Sequence, residues 1–289
     1  MFTGSLVALV TPFRDGKVDL KRLEELVEFH IESGTHGLVP CGTTGESSTL
    51  SHSEHELVIS SVVNMADGRI PVLAGTGSNS TSEALRLTRF AKEAGADGAL
   101  LITPYYNKPT QRGLVQHFET IALEVDLPLF LYNVPSRTGV NMLPRTVIEC
   151  SKLPNVVGIK EASGNIDQTV EILRESEITV LSGDDSLTLP LMAVGAKGVI
   201  SVAANVVPRE MVDLVDFAAD GNFSGAKELH FRLFPLFKGL FVETNPIPVK
   251  AALHLMGKID PDLRLPMTQL EASHIAGLKG VLADLGLYV

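Results

Sequence analysis

Eight short apolar runs recur along the chain as far as Val202, and amphipathic stretches separate them. Short continuous apolar runs are typical of strands that are buried on both faces, whereas apolar residues at helical spacing predict helices between them. The first such helix is predicted between an Asp19 N-cap and a Gly34 stop. The predicted strands are Ser5 to Val10, Gly37 to Pro40, Ile70 to Ala74, Gly98 to Thr103, Pro128 to Tyr132, Val156 to Lys160, Ile178 to Ser182 and Gly198 to Val202.

Eight strand and helix units fit the size of a closed parallel barrel, which needs about 250 residues. We therefore predict a (β/α)8 TIM barrel over residues 1–222, followed by a C-terminal helical region over residues 223–289. Helices are predicted there at Phe223 to Gly239, Pro246 to Met256 and Met267 to Leu285. An open α/β sheet is the alternative, because periodicity alone does not establish that the eighth strand meets the first.

Capping motifs predict where two of the helices begin. Ser51 with Glu54, and Ser80 with Glu83, both have the spacing of a capping box. The glycine-rich segments 42–45 and 75–77 would then be the loops that lead from a strand into a helix.

Charge and cysteine content exclude several classes of protein. The formal net charge of -10 argues against nucleic acid as a partner. The two cysteines, Cys41 and Cys150, fit no metal spacing and favour a reducing compartment. Because no basic leader and no long apolar run is present, we expect neither export nor a membrane span, and we expect a cytoplasmic protein.

Lys160 ends the sixth apolar run and is the first candidate for a nucleophile. Active sites of such barrels lie where strands end, and a lysine at the mouth of an apolar barrel can supply a free amine that condenses with a ketone. Lys197 precedes the eighth strand and should lie at the opposite rim, whereas Lys250 is predicted to be a solvated surface residue. The alternative for Lys160 is an ordinary ion pair with Glu161.

Tyr132 and Arg137 are candidates for a role beside that lysine. Tyr132 ends the fifth strand at the same level as Lys160, so its hydroxyl can carry protons to and from an imine. Alternatively, it is an aromatic residue that closes the top of the core. Arg137 lies five residues further on and offers a planar fork that matches a carboxylate, unless it is a surface loop arginine.

The loop from Gly42 to Ser47 offers backbone N–H groups and two threonine hydroxyls to an anion. This signal is weak by itself, because the loop lacks the lysine of a nucleotide P-loop. The segment 75–77 also fails the dinucleotide motif, since Ser80 occupies the third glycine position. We therefore expect no nucleotide cofactor.

His52 and His55 lie three residues apart on a predicted helix and invite a metal interpretation, but no third ligand accompanies them. A solvated helix face or an effector pocket is the alternative for these histidines. Cys41 is expected to be a small buried core residue, because no histidine is placed to activate it. At least one of the adjacent Tyr105 and Tyr106 must point away from the barrel axis, where it can make a subunit contact.

The segments 42–46, 132–139 and 158–162 resemble those of the dihydrodipicolinate synthase family, and the resemblance extends over essentially the whole chain. It implies a class I aldolase with neither a metal nor an organic cofactor. Its substrates would be pyruvate and L-aspartate 4-semialdehyde, and its product 4-hydroxy-tetrahydrodipicolinate, on the diaminopimelate route to lysine.

The resemblance also implies a role for each site residue. Lys160 would carry pyruvate as an imine, and a tight dimer would complete the proton relay by placing a tyrosine of one subunit in the site of the other. Such dimers would pair into a homotetramer. The implied catalytic residues are Lys160, Tyr132, Thr43 and Tyr106, the last from the neighbouring subunit, and the implied substrate-binding residues are Thr44, Arg137, Gly183 and Ile200.

Feedback inhibition by L-lysine at the dimer interface is a further implication of the resemblance. Glu83 would bind the α-ammonium group, while Asn79 and Tyr105 would hold the α-carboxylate. The full set of implied effector residues is Ser47, Ser48, His52, His55, Asn79, Glu83 and Tyr105.

Two alternative functions remain open from the sequence. A sister pyruvate aldolase, such as N-acetylneuraminate lyase or a keto-deoxy sugar acid aldolase, would share the barrel, the lysine and the tyrosine, although Arg137 argues against the lyase. A lysine-sensing barrel with an idle catalytic site would have little use for the intact set of Lys160, Tyr132 and Thr43.

Overall fold

A computed structural model describes residues 2–287 and contains a barrel of eight parallel strands with a two-stranded hairpin. All eight predicted barrel strands are confirmed, each with its ends shifted by up to a few residues. The barrel strands are β1 (Gly4–Ala8), β4 (Gly37–Val39), β5 (Leu73–Gly75), β6 (Gly98–Ile102), β7 (Leu129–Asn133), β8 (Val156–Glu161), β9 (Thr179–Ser182) and β10 (Gly198–Ser201), and the hairpin strands are β2 (Phe13–Arg14) and β3 (Lys17–Val18).

The sheet closes on itself. β1 pairs in parallel with β10, with Leu6 opposite Ile200. At the remaining gap, a parallel bridge joins Leu38 at β4 to Val72 just before β5. The TIM barrel is thus confirmed, and the open-sheet alternative is wrong.

Helices follow the strands and surround the barrel. The first runs between its predicted signals, since the Asp19 side chain accepts from the Arg22 N–H and Gly34 adopts a left-handed backbone at φ +78°. The helices are α1 (Leu20–Glu32), α2 (His52–Ala66), α3 (Thr81–Glu93), α4 (Gln111–Glu124), α5 (Pro135–Thr138), α6 (Pro144–Cys150), α7 (Ile166–Glu175), α8 (Thr188–Ala193), α9 (Pro208–Ala219), α10 (Phe223–Gly239), α11 (Ile247–Leu255) and α12 (Ala272–Asp284).

One of the two predicted capping boxes is confirmed. Ser51 and Glu54 exchange both hydrogen bonds at the start of α2. At α3 the second box is wrong, because the Ser80 side chain caps nothing and the Glu83 carboxylate instead accepts from the hydroxyl of Ser78. The partner of Glu83 is therefore a second nearby serine, which the capping-box spacing does not identify.

Two apolar layers hold the barrel together. The larger lies between the strands and the surrounding helices, and a smaller cluster fills the barrel interior. The interior cluster includes Leu6, Phe130, Tyr132, Leu181 and Ile200, which project inward from four different strands. A filled interior leaves the carboxyl end of the barrel as the place for a site.

The C-terminal region is helical as predicted, but its last helix is shorter than expected. α10 has the predicted bounds, whereas α12 begins only at Ala272 rather than at Met267. α10 packs against both α9 and α12. The division into 1–222 and 223–289 stays a prediction, and residues 288–289 lie outside the described part of the chain. Within residues 2–287, no helix is both long and apolar enough to cross a bilayer.

Candidate active site

Lys160 lies near the end of β8, where only 6% of its surface is exposed. It is opposite Tyr132 of β7, and its Nζ sits 4.4 Å from the centre of the Tyr132 ring. Within residues 2–287, no hydrogen bond or ion pair engages Nζ. The amine is therefore held in place by strand position and packing, without a hydrogen-bonding partner in the described chain that would have to be displaced by a substrate.

Glu161 does not pair with Lys160, so that alternative is wrong. Successive side chains of a strand point to opposite faces, and the Glu161 carboxylate accepts hydrogen bonds from Asn133, Gln168 and the Ser163 N–H. Burial raises the pKa of Glu161, and these donors oppose that shift. Glu161 thus belongs to a polar network behind the barrel wall.

A cavity of about 610 Å³ opens above Lys160 at the carboxyl end of the barrel. It brings together residues that the sequence places far apart and that were predicted to belong to one site. The cavity is lined by, among others, Thr43, Thr44, Tyr132, Arg137, Lys160 and Gly183. Ile200 lies below, fully buried in the barrel interior.

The loop of Thr43 and Thr44 follows β4 and is tied to the C-terminal region. The Thr44 hydroxyl is buried and accepts a hydrogen bond of 3.0 Å from the Asn245 side chain. Neither the Thr43 nor the Tyr132 hydroxyl has a hydrogen-bond partner among the described residues. Both hydroxyls are therefore available to hydrogen-bond a bound molecule.

Lys250 is not the solvated surface residue that the sequence predicted. It is fully buried, and its Nζ lies 2.6 Å from Glu46 Oε1. Burial lowers the pKa of Lys250, and the Glu46 carboxylate opposes this shift. The prediction failed because α11 packs against the barrel, which helical periodicity does not reveal. Lys197, by contrast, is exposed directly before β10, as predicted.

Arg137 lies in α5 at the edge of the cavity. Its Nη2 donates a 3.1 Å hydrogen bond to the Asn245 carbonyl, which leaves its other donors free. Gly183 lies deeper, and its N–H donates to the Glu161 carbonyl at 2.8 Å. A Cβ at Gly183 would lie 2.5 Å from that of Ala162, so the close approach of β8 and β9 requires glycine.

Asp184 and Asn245 are cavity residues to which sequence reasoning assigned no role. Burial raises the pKa of Asp184, while Lys160 opposes that shift. Asn245 is 4% exposed, and its Oδ1 lacks a hydrogen-bond partner in the described chain. Their positions after β9 and before α11 were the only signals in the sequence.

Tyr106 points away from the cavity of its own chain. It is 89% exposed and adopts a left-handed backbone at φ 73° in the loop after β6. This placement agrees with the expected outward tyrosine. The neighbouring Tyr105 lines a second cavity.

That second cavity, of about 420 Å³, is lined by most of the implied effector residues and also by residues of the candidate active site. Thr43, Tyr132 and Arg137 also line it. The effector residues in its wall are Ser47, Ser48, His52, His55, Glu83 and Tyr105. Asn79 is not in the wall, and its carbonyl accepts from the side chain of Asn107.

The two histidines of α2 have different environments. Arg86 can only donate, so the His52 Nδ1 beside it accepts, and Nε2 donates to Glu83 at 3.0 Å. His55 is buried, and its Nε2 donates to the Gly75 carbonyl at 2.7 Å. Burial lowers the pKa of His55. The solvated interpretation is therefore wrong for His55.

Cys41 is buried as expected, and burial raises the pKa of its thiol. In the described part of the chain, Glu243, Glu271 and His274 form the one cluster with ligand spacing. Glu243 Oε1 there already accepts from the Glu271 N–H and His274 Nδ1. The expected absence of a metal stays a prediction.

Comparison with known proteins places this architecture in a family. The sequence model of the dihydrodipicolinate synthetase family matches residues 1–284. The chain belongs to this family.

Individual relatives agree over their full lengths. The chain is 56% identical to the 4-hydroxy-tetrahydrodipicolinate synthase of Persephonella marina over 99% of both proteins. A crystal structure of dihydrodipicolinate synthase from Aquifex aeolicus has a TM-score of 0.98 at 52% identity and covers 100% of this chain and 99% of that one. A further structure, DHDPS from Cyanidioschyzon merolae with lysine bound, has a TM-score of 0.96 at 42% identity and covers 99% of each chain.

Proposed function

We propose that this chain condenses pyruvate with L-aspartate 4-semialdehyde to give 4-hydroxy-tetrahydrodipicolinate and water, the 4-hydroxy-tetrahydrodipicolinate synthase reaction. The observation that carries the proposal is the uncommitted amine of Lys160 beside Tyr132 at the floor of the cavity. Full-length relatives that bear the name of this activity support it. We place the reaction in the cytoplasm.

The first half of the reaction uses pyruvate alone. Lys160 Nζ attacks the ketone carbon, and the resulting carbinolamine loses water to give a protonated imine. The Tyr132 hydroxyl supplies the proton that leaves with the water and then helps to remove one from the methyl group. The imine accepts the electron pair released at the methyl carbon, which forms the enamine nucleophile.

The second half brings in the semialdehyde. The enamine carbon attacks the aldehyde carbon, and the aldehyde oxygen becomes the 4-hydroxyl group. The amine of the semialdehyde then attacks the imine carbon, closes the ring and expels Lys160 as a free amine. Electrons balance without an oxidant or reductant, so we propose that neither metal nor organic cofactor takes part.

Substrate binding divides between the two ends of the cavity. Thr44 would hold the pyruvate carboxylate, and the backbones of Gly183 and Ile200 would form the pocket of the nucleophile. Arg137 would bind the carboxylate of the semialdehyde at the entrance, where a charge-assisted hydrogen bond contributes about 1.5–3 kcal/mol. Its one carbonyl partner keeps the guanidinium oriented toward the cavity.

We propose that Tyr106 enters the site of a neighbouring subunit and completes a relay with Thr43 and Tyr132. Its 89% exposure in a strained loop is costly for a monomer and is accounted for by a tight dimer. The helices α7, α8 and α10 pack side by side and form an exposed apolar face. This face supports pairing of dimers into a tetramer. Its exposed side chains are Ile166, Val170, Val194 and Phe231.

We further propose that the smaller cavity binds L-lysine as an effector. Its wall offers the Glu83 carboxylate for an ammonium group and the Tyr105 hydroxyl for a carboxylate. The lysine-bound structure of a relative supports this interpretation. Because Thr43 and Tyr132 line the same cavity, a ligand there can alter the relay directly.

Turnover with three substrates tests the proposed function. The purified protein is incubated with pyruvate and the semialdehyde, with N-acetylneuraminate, or with a keto-deoxy sugar acid, and products are followed by mass spectrometry. We expect rapid turnover of the first mixture only. Faster cleavage of either sugar acid would replace the proposal with the sister-aldolase function, and no turnover at all would favour a binding protein.

A further inference from the structure

Lys250 and Glu46 form a buried ion pair between the C-terminal region and the loop of Thr43 and Thr44. Lys250 is fully buried and Glu46 is 3% exposed. Nζ donates to Glu46 Oε1 at 2.6 Å and to the Thr11 carbonyl at 3.0 Å, and it lies 4.4 Å from the centre of the Phe13 ring. The pair therefore joins α11, the segment that follows β1 and the loop after β4.

Glu46 closes this loop in a conformation that side chains rarely adopt. Its φ is 53°, and Cys41 at the other end of the loop has φ 56°. Non-glycine residues in this region cost about 1 kcal/mol or more and persist only where the surroundings fix them. Both carboxylate oxygens of Glu46 are held, one by Lys250 and the other by the Arg264 backbone N–H at 3.1 Å.

The loop between these two residues is tethered to the same partners at Thr44 and Gly45. The Thr11 hydroxyl donates to the Gly45 carbonyl at 2.7 Å, while its own carbonyl accepts from Lys250. Asn245, which precedes α11, donates to the Thr44 hydroxyl at 3.0 Å. One short segment, 245–250, therefore makes hydrogen bonds to the loop at both Thr44 and Glu46.

Stability alone is a weak reason for such a pair. Removing two charges from water costs several kcal/mol, and a well-packed apolar pair of similar volume is often as stable or more so. An apolar pair would not fix the orientation of its side chains, whereas hydrogen bonds from two donors fix the orientation of the Glu46 carboxylate. We propose that Lys250 is a positioning residue, which through Glu46 holds the Thr43 and Thr44 hydroxyls in register with Lys160.

This inference rests on the proposed function, and kinetic measurements distinguish a failure of the inference from a failure of the function. In a reaction that proceeds by a pyruvate imine, kcat/KM for pyruvate reports the first half alone. A displacement of catalytic hydroxyls by about 1 Å can cost up to about a hundredfold in rate. We expect Lys250→Met to lower kcat/KM for pyruvate and the rate of borohydride-trapped imine formation by about tenfold or more.

Controls distinguish positioning from general damage. Because Lys250→Met leaves a buried carboxylate unpaired, the double variant Glu46→Gln/Lys250→Met provides a neutral pair that folds, as checked by a cooperative thermal transition. Lys250→Arg should recover part of the lost kcat/KM. Arg264→Gln is the local control, because it removes a guanidinium that donates to Glu54 and to the Thr49 and Gly16 carbonyls but keeps the backbone N–H to Glu46. We expect its kcat/KM for pyruvate to stay within about twofold of wild type.

The outcomes are distinct. Loss of kcat/KM for pyruvate in the folded double variant, with Arg264→Gln unaffected, supports the positioning role. A folded double variant with wild-type imine formation overturns it, as does an equal loss in Arg264→Gln. If the wild-type protein itself traps no pyruvate, the proposed function fails, and this inference falls with it.

Discussion

Replacement of Gly183 by alanine tests how closely β8 and β9 must approach beside Lys160. The new Cβ would lie 2.5 Å from the Ala162 Cβ and 3.2 Å from the Glu161 carbonyl oxygen. The first distance is about 1 Å short of ordinary carbon contact. Since the second neighbour is backbone, the strand end has to move rather than a flexible side chain.

Such a displacement should affect both stability and rate. Overpacking of this kind costs about 1–3 kcal/mol of unfolding free energy. A shift near 1 Å beside the reacting amine should lower kcat/KM for pyruvate by about tenfold to a hundredfold. Thermal unfolding and initial-rate kinetics with varied pyruvate measure the two effects.

Gly280→Ala is the matched control for this substitution. Gly280 lies in α12, and nothing is within 4 Å of the position that a Cβ would occupy there. Alanine at this position should stabilise the protein by about 0.5–1 kcal/mol and leave kinetics unchanged. If Gly183→Ala behaves like Gly280→Ala in both assays, the close approach of β8 and β9 does not constrain the site.

Three further predictions follow from individual side chains. Arg137→Ala should chiefly impair use of the semialdehyde and spare formation of the pyruvate imine; equal losses in single-turnover trapping would contradict this. Glu83→Gln should weaken inhibition by lysine without changing the uninhibited rate, and unchanged rates of the wild type at millimolar lysine would remove the effector proposal. Burial lowers the pKa of His30 from 6.5 to about 3. Between these two pH values the unfolded chain binds a proton that the folded chain does not, so the free energy of unfolding decreases as the pH is lowered from 6.5 toward 3. Between pH 6.5 and 5 the His30→Leu variant should lose about 2 kcal/mol less than wild type, as measured by denaturant unfolding at each pH; parallel pH curves would refute the assignment.

Residues that end barrel strands were predictable because strand periodicity is local and the closed barrel orders the strand ends. Tyr132 and Lys160 could be placed at the same level from the ends of their apolar runs, and they are opposite each other in the register. The outward tyrosine of the pair after β6 followed from the same geometry. For these residues, the face of the sheet and the position of the strand end were enough to predict their location.

Contacts made between distant segments could not be predicted in the same way. The burial of Lys250 depends on α11 packing beside the loop that carries Glu46, which lies 204 residues away in the sequence. The second capping box failed for a different, local reason, because the Glu83 carboxylate accepts from Ser78, which lies five residues before it, and the Ser80 side chain caps nothing. The hairpin of β2 and β3 is too short, with two residues in each strand, to give a periodic signal.

The most direct test of the central claim is the site of covalent attachment of pyruvate. The protein is incubated with pyruvate, reduced with borohydride, digested and sequenced by mass spectrometry, in parallel with Lys160→Arg. We predict one reduced adduct, on the peptide that contains Lys160, and neither adduct nor turnover in the variant. An adduct on a different lysine, or wild-type turnover by Lys160→Arg, would contradict the account.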